Sequence, residues 1–233
     1  MMKKYEYLLF DADNTLFDFS KAEFLAFRIA TESGGIPFSE EIYQKYSEIN
    51  DSLWKKLETG EINLEFLKLE RFRLLLISLG YEESGDSAKK AIFLKDSYIE
   101  ALGKQTCLIK GAVEICRALS TKYKMYLITN GISNIQRARF DSSELKPFFR
   151  EMFVSEEIGA AKPSVAYFDH VFSRLGNPSK DKCLVIGDSL TSDCDGAISY
   201  GLDICRFNPK GESDQGRRIT YTVKKLEELL DIL

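Results

Sequence analysis

Two aspartates, Asp11 and Asp13, stand two positions apart just after the apolar run 5–10. Carboxylates are costly to bury unless they are paired, hydrogen-bonded or bound to a metal. Residues two apart on an extended chain point to the same side, so both acids can serve one small volume. Thr129-Asn130-Gly131 closes a second apolar run, 124–129, and Asp188 follows a third, 182–187, with Asp193 five residues beyond. Lys162 directly precedes Pro163. Each piece alone has a plainer reading: Asp13 or Asn14 as a helix cap, Thr129 to Gly131 as a turn, Lys162 as a surface lysine, Asp188-Ser189 as another cap. Their recurrence argues against coincidence. If the three strands run parallel and adjacent, all the polar clusters lie at one sheet edge, where open α/β sheets bind ligands.

Such an edge suits phosphoryl chemistry. Asp11 and Asp188 would bring two carboxylates together, where repulsion raises a pKa unless a cation sits between them. Mg²⁺ fits, because it takes a few carboxylates and keeps waters and phosphate oxygens as its other ligands. Thr129 offers a hydroxyl, and the N–H groups of Asn130 and Gly131 lie near a helix start, a seat for phosphate. Lys162 can bring a positive charge to the same anion.

The elements that must position these residues follow the α/β pattern. From about 18 to 102 only helical periodicity appears, in four segments broken at Gly34-Gly35, Thr59-Gly60, Gly80 and Gly103, which suggests a small bundle. From 106 onward helices and strands alternate: helix 111–122, strand 124–129, helix 133–140, strand 152–154, helix 164–175, strand 182–187, helix 191–200, strand 202–207 and a closing helix 223–230. The expected architecture is a Rossmann-like, mostly parallel sheet flanked by helices, residues 1–16 and 106–233, with a helical cap domain inserted at 17–105.

Composition narrows the function. The chain has 233 residues, 44% of them hydrophobic and 29% charged, enough for a sizeable core in an ordinary globular protein. A net charge of −4 gives no basic surface for a nucleic acid polymer. No apolar run approaches the roughly 20 residues that cross a bilayer, and the first run is too short for a signal peptide. Cys107, Cys116, Cys183, Cys194 and Cys205 form no Cys-x-x-Cys pair, and His170 is the single histidine, so a zinc site is poorly supported. Reduced, core-filling thiols in a cytoplasmic protein, monomeric or weakly homo-oligomeric, are expected.

Asp11-Ala-Asp13-Asn-Thr15, then Thr129, then Lys162, then Gly187-Asp188-Ser-Leu-Thr-Ser-Asp193 resemble the four motifs of the haloacid dehalogenase superfamily, in order and in strand-end placement. More narrowly, Phe10-Asp-Ala-Asp-Asn-Thr-Leu-Phe17, Asn50-Asp-Ser-Leu-Trp54, Ile128-Thr-Asn-Gly131 and Val154-Ser-Glu-Glu-Ile-Gly-Ala-Ala-Lys-Pro163 resemble its pyrimidine 5′-nucleotidase branch. Lys110 departs from the proline that relatives often carry before the glycine at 111. The resemblance implies that Asp11 attacks phosphorus and becomes an aspartyl-phosphate, with Asp13 as general acid and then base. It implies Mg²⁺ on the Asp11 side chain, the Asp13 carbonyl and Asp188, phosphate held by Thr129, Asn130, Gly131 and Lys162, and Asp193 supporting a metal-bound water or Lys162. Thr15 would order the loop. An alkoxide needs a proton to leave and a halide does not, so Asp13 favours phosphate ester hydrolysis over dehalogenation.

Substrate choice is expected to reside in the inserted bundle, closing over the sheet edge to exclude water. Phe17, Phe19, Tyr46, Asn50 and Trp54 are candidates for a base platform, although aromatic residues at helical spacing also make bundle cores. The expected activity is Mg²⁺-dependent hydrolysis of a pyrimidine nucleoside monophosphate. One alternative is a phosphatase for sugar phosphates or phosphoglycolate. A remoter one is a receiver-type signalling domain that accepts phosphate on aspartate, which has no need of so long an insertion or of Asp13.

Overall fold

A computed structural model describes residues 5–233. Among these residues six strands, β1 (Tyr7–Asp11), β2 (Lys124–Thr129), β3 (Glu151–Val154), β4 (Cys183–Gly187), β5 (Asp203–Phe207) and β6 (Tyr221–Val223), form one sheet. Their order is β3-β2-β1-β4-β5-β6 and every pair is parallel. The helices are α1 (Phe19–Ser33), α2 (Glu40–Glu58), α3 (Leu64–Ser78), α4 (Gly85–Gly103), α5 (Ala112–Ser120), α6 (Ser133–Asp141), α7 (Ser155–Ile158), α8 (Val165–Leu175) and α9 (Asp195–Tyr200). The α/β class, the parallel sheet and the helical insertion agree with the sequence expectation.

Both faces of the sheet are covered. Leu8 and Phe10 of β1 pack with Met125, Leu127, Leu184 and Ile186 against Ile115 and Leu119 of α5 and against Leu226 and Leu229. Leu9 points the other way, with Ile128, Val185 and Ile204, against Tyr167, Phe168 and Val171 of α8 and Ala197 of α9. Strands buried on both sides have no reason to alternate apolar and polar residues, so they read as continuous apolar runs. The order reverses between β1 and β4, so the carboxyl ends of these two strands flank a crevice suited to a ligand.

The chain divides into two compact units, one comprising the residues up to Ser20 with Thr106–Leu233, the other Lys21–Gln105. The second unit is helical. Ser39, Asn63 and Ser84 cap α2, α3 and α4 through their side-chain oxygens, satisfying N–H groups that a helix start leaves open. Its centre is aromatic: the ring of Tyr46 lies 4.4 Å from Phe27, 5.6 Å from Phe72 and 5.8 Å from Tyr98, centroid to centroid. A polar group is buried there too. Glu23 accepts hydrogen bonds from Asn50 Nδ2 at 3.0 Å, Tyr43 Oη at 3.3 Å and Tyr98 Oη at 3.5 Å, and Arg71 Nη1 donates to Asn50 Oδ1 at 3.2 Å.

Two local expectations change. The closing helix expected at 223–230 is instead β6, which pairs with β5, followed by a 3₁₀ segment at Leu226–Asp231. The Val223 carbonyl accepts the Asn208 N–H at 2.7 Å, so sheet pairing recruits residues that local periodicity assigns to a helix. The helix expected at 191–200 opens as a π-turn, Leu190–Cys194, before α9 begins. Turns of this width recur at functional sites.

Candidate active site

Asp11 is the last residue of β1 and lies on the same side of the strand as Leu9, toward α8 and α9. Lys162 enters on that side from the loop before α8. Its Nζ donates to Asp11 Oδ1 at 2.6 Å, Asp193 Oδ1 at 2.7 Å and the Ile128 carbonyl at 3.1 Å. All three ammonium protons are therefore committed. The lysine is 2% exposed, and its loop is latched by Asn130: Asn130 Nδ2 donates to the Lys162 carbonyl at 2.8 Å, and the Lys162 N–H donates to Asn130 Oδ1 at 2.9 Å.

Asp193 reaches this cluster because of two features. The wide turn at Leu190–Cys194 swings it inward, and Gly187 leaves room for it: a Cβ there would fall 2.4 Å from Asp193 Cγ. Its second oxygen accepts the Ser189 N–H at 3.1 Å. Asp188 follows β4 and is tied to the β1 loop by Thr15, whose hydroxyl donates to Oδ1 at 3.3 Å. That bond gives Thr15 the loop-ordering role expected of it.

The carboxylate oxygens of Asp11, Asp188 and Asp193 lie within 4.8 Å of one another. Burial pushes the Asp11 carboxyl well above its ordinary range; the nearby lysine opposes this, and Asp193 and Asp188 add to it. Asp188 is pushed up to about 7 by burial and by Asp193, against the pull of Lys162. Burial alone would lower the Lys162 ammonium, but Asp11 and Asp193 outweigh it and hold the lysine charged. Three carboxylates against one ammonium leave a site that favours a further cation. The donors are all oxygen, which fits a hard divalent ion such as Mg²⁺. Asp193 spends both oxygens on Lys162 and Ser189, so Asp11 and Asp188 are the side chains better placed to bind one.

Thr129 ends β2 and is 1% exposed. Its N–H donates to Tyr167 Oη at 3.1 Å, and that hydroxyl donates to the Phe153 carbonyl at 2.9 Å. The Thr129 hydroxyl oxygen accepts from the Gly131 N–H and from Gln136 Nε2, each at 3.1 Å. With both lone pairs engaged, its own proton is left to donate. This revises the expected phosphate seat: the Gly131 N–H is spent on Thr129, and the Asn130 side chain holds the lysine loop.

Asp13 lies in a tight loop in which Asn14 is left-handed, with φ of 59°, and the Ala12 carbonyl accepts from Leu16 and Phe17. Its carboxylate turns to α6 and not to the acidic cluster. Arg139 Nη1 donates to Oδ1 at 2.6 Å, and Gln136 Nε2 donates to Oδ2. Neither residue was singled out from sequence. Their i, i+3 spacing after Thr129-Asn130-Gly131 was a usable signal, but a weak one.

Of the expected base-platform residues, Phe17 is 1% exposed, Tyr46 0% and Asn50 3%. Phe17 packs under the Arg139 guanidinium, Tyr46 is bundle core, and Asn50 bridges Glu23 and Arg71. These three are interior residues, buried by the same helical periodicity or loop closure that drew attention to them. Phe19 and Trp54 are half-buried.

An acidic cluster at the β1/β4 switch point, with a lysine from a later loop and a threonine at the next strand end, defines a hydrolase of the haloacid dehalogenase-like family. The model of that family matches residues 5–201, and the chain belongs to it. It is 40% identical over 233 residues to HAD-hydrolase YfnB of Bacillus subtilis, covering 100% of this chain and 97% of that protein. It is 34% identical over 231 residues to pyrimidine 5′-nucleotidase PynA of Streptococcus pneumoniae, covering 98% and 95%. Identity to pyrimidine 5′-nucleotidase YjjG of Escherichia coli is 32% over 231 residues, covering 99% and 98%. A crystal structure of YfnB bound to magnesium superposes with a TM-score of 0.91 at 39% identity, covering 99% of each chain. Among the described residues no helix is long and apolar enough to cross a membrane.

Proposed function

We propose that this protein is a Mg²⁺-dependent phosphomonoester hydrolase that acts through an aspartyl-phosphate on pyrimidine nucleoside 5′-monophosphates. The observation that carries the reading is Asp11, at the switch point, 2.6 Å from the buried Lys162 ammonium and grouped with Asp188 and Asp193. The nucleotide class rests on the likeness to PynA and YjjG.

Mg²⁺ would be held by the Asp11 and Asp188 side chains and, on the family resemblance, by the Asp13 carbonyl. When bound, it offsets negative charge on phosphate oxygens and carboxylates. A carboxylate oxygen of Asp11 attacks phosphorus while the bond to the nucleoside oxygen breaks, and Asp13 gives its proton to that oxygen. Positioned proton transfer of this kind contributes roughly 10²–10⁴-fold. Water then attacks the aspartyl-phosphate, Asp13 takes a proton from it, and the phosphorus–oxygen bond to Asp11 breaks to release phosphate. Thr129 donates its remaining proton to a nonbridging oxygen. Lys162 holds Asp11 and balances its charge, and contacts phosphate only by giving up one of its present acceptors. Substrate selection belongs to the helical unit, with Phe19 and Trp54 as the remaining aromatic candidates. A soluble, intracellular setting accords with small-molecule substrates and reduced cysteines.

Phosphate release from a panel of esters tests this. Uridine and cytidine monophosphates should outrun purine nucleotides, sugar phosphates and phosphoglycolate, with turnover lost in chelator and in Asp11→Asn. Equal or better hydrolysis of sugar phosphates would remove the nucleotide assignment while leaving the phosphatase. Stable acyl-phosphate without turnover would replace it with a signalling role.

A further inference from the structure

We propose that Arg139 and Gln136 are positioning residues that hold Asp13 for proton transfer. The proposal rests on the reading of Asp13 as the acid–base group and extends it to two side chains on α6.

One donor reaches each oxygen of the Asp13 carboxylate: Arg139 Nη1 on Oδ1 at 2.6 Å and Gln136 Nε2 on Oδ2. Two donors on different oxygens fix both the position and the plane of the group, which a single bond would leave free to rotate. Gln136 and Arg139 are three residues apart, so a single helix face presents both.

The donors are themselves immobilised. Arg139 has 0% side-chain exposure, and its guanidinium lies 4.9 Å from the Phe17 ring centroid and 5.7 Å from that of Phe19. A planar cation stacked on aromatic rings has little freedom. Gln136 is 3% exposed, and its amide also donates to Thr129 Oγ1 at 3.1 Å. The same amide thus links the proton-transfer residue to the phosphate-binding threonine.

Gly131 makes this route possible. A Cβ there would fall 2.0 Å from Gln136 Nε2, so any other residue would displace the amide. Here φ is not positive, and the requirement for glycine is one of space.

The burial is asymmetric. The Arg139 side chain is enclosed, whereas that of Asp13 keeps 22% of its surface open. The cation supports the carboxylate from behind while its open side remains available to a reacting oxygen. During the reaction Arg139 keeps its protons. Only the Asp13 proton moves, to the leaving oxygen as its bond to phosphorus breaks, and back from water as the new bond forms.

Two esters separate positioning from simple structural support. A nucleoside monophosphate expels an alkoxide and needs a proton. Para-nitrophenyl phosphate expels a stabilised phenolate and does not. In Mg²⁺-loaded protein, Arg139→Lys and Gln136→Ala should each lower kcat for the nucleotide about tenfold or more, and for the aryl ester about threefold or less. Gln136→Ala removes no charge and serves if the lysine variant does not fold. In an Asp13→Asn background, Arg139→Lys should cause no further loss with the nucleotide, because its effect passes through Asp13. Parallel losses on both esters, or an undiminished Arg139→Lys effect in that background, would overturn the proposal while leaving the acid–base role intact. Full nucleotide turnover by Asp13→Asn itself would overturn both.

Discussion

The Asp193 carboxylate occupies the space a side chain at Gly187 would take: a Cβ there would stand 2.4 Å from both Cγ and Oδ2 of the aspartate. The glycine at the end of β4 is what allows Lys162 to have two carboxylate partners. Gly187→Ala should therefore act through a residue it does not contact in sequence. Pushing Asp193 outward strains the turn and weakens its 2.7 Å ion pair with Lys162. The expected cost is about 1–3 kcal/mol of stability, with kcat lowered about tenfold or more as Asp11 loses its alignment. Urea unfolding and steady-state kinetics on one preparation would check both.

Magnesium should stabilise the folded chain independently of turnover. A ligand that binds only the folded state at 100 times its Kd adds about 2.7 kcal/mol. Thermal melts should rise with Mg²⁺ and fall back in chelator. Asp188→Asn should lose most of this response. An equal Mg²⁺ shift in that variant would place the ion elsewhere.

The helical unit should carry a pH dependence of its own. Burial raises Glu23 from its ordinary value of 4.5 to about 7; Arg71 opposes the shift and Asp51 adds to it. Folded Glu23 then keeps its proton up to about pH 7, whereas the unfolded residue releases it near 4.5. Between these values the folded state binds more protons, so stability falls as pH rises through the window and levels off above it. The residue is 7% exposed, and the full effect is about 3 kcal/mol. Denaturant unfolding at pH 5 and pH 8 should show this component in the parent and not in Glu23→Gln.

Tyr167→Phe removes one hydroxyl that satisfies two backbone groups, the Thr129 N–H at 3.1 Å and the Phe153 carbonyl at 2.9 Å. Both bonds are buried, and orphaning such groups costs about 1–3 kcal/mol. The expected result is a lower denaturation midpoint and a raised KM, since Thr129 loses its anchor while Asp11 and Asp13 keep theirs.

Asn130→Ala should uncouple the Lys162 loop from the end of β2. Both hydrogen bonds between Asn130 and the lysine backbone disappear. Stability should fall by about 1–3 kcal/mol, with kcat lowered more than KM is raised, measurable in the same assays.

How far the sequence reaches depends on whether a feature is local. Buried strands announce themselves by unbroken apolar runs, and β2 at Lys124–Thr129 coincides with the run read as a strand. The acids, the threonine and the lysine stand at strand or helix boundaries, so their presence at one sheet edge follows once the strands are parallel. The helical insertion was legible from glycine-punctuated periodicity. Tertiary structure alone decided which way the polar side chains turn. Asp13 meets Gln136 and Arg139 across 123 and 126 residues of chain, and Asn50 turns inward to Glu23 and Arg71 instead of outward. The same holds for β6, whose strand form comes from β5 beside it. Periodicity reports the face on which a residue lies. Hydrogen bonding between distant segments is set by how the folded elements meet, and that information is spread over the whole chain.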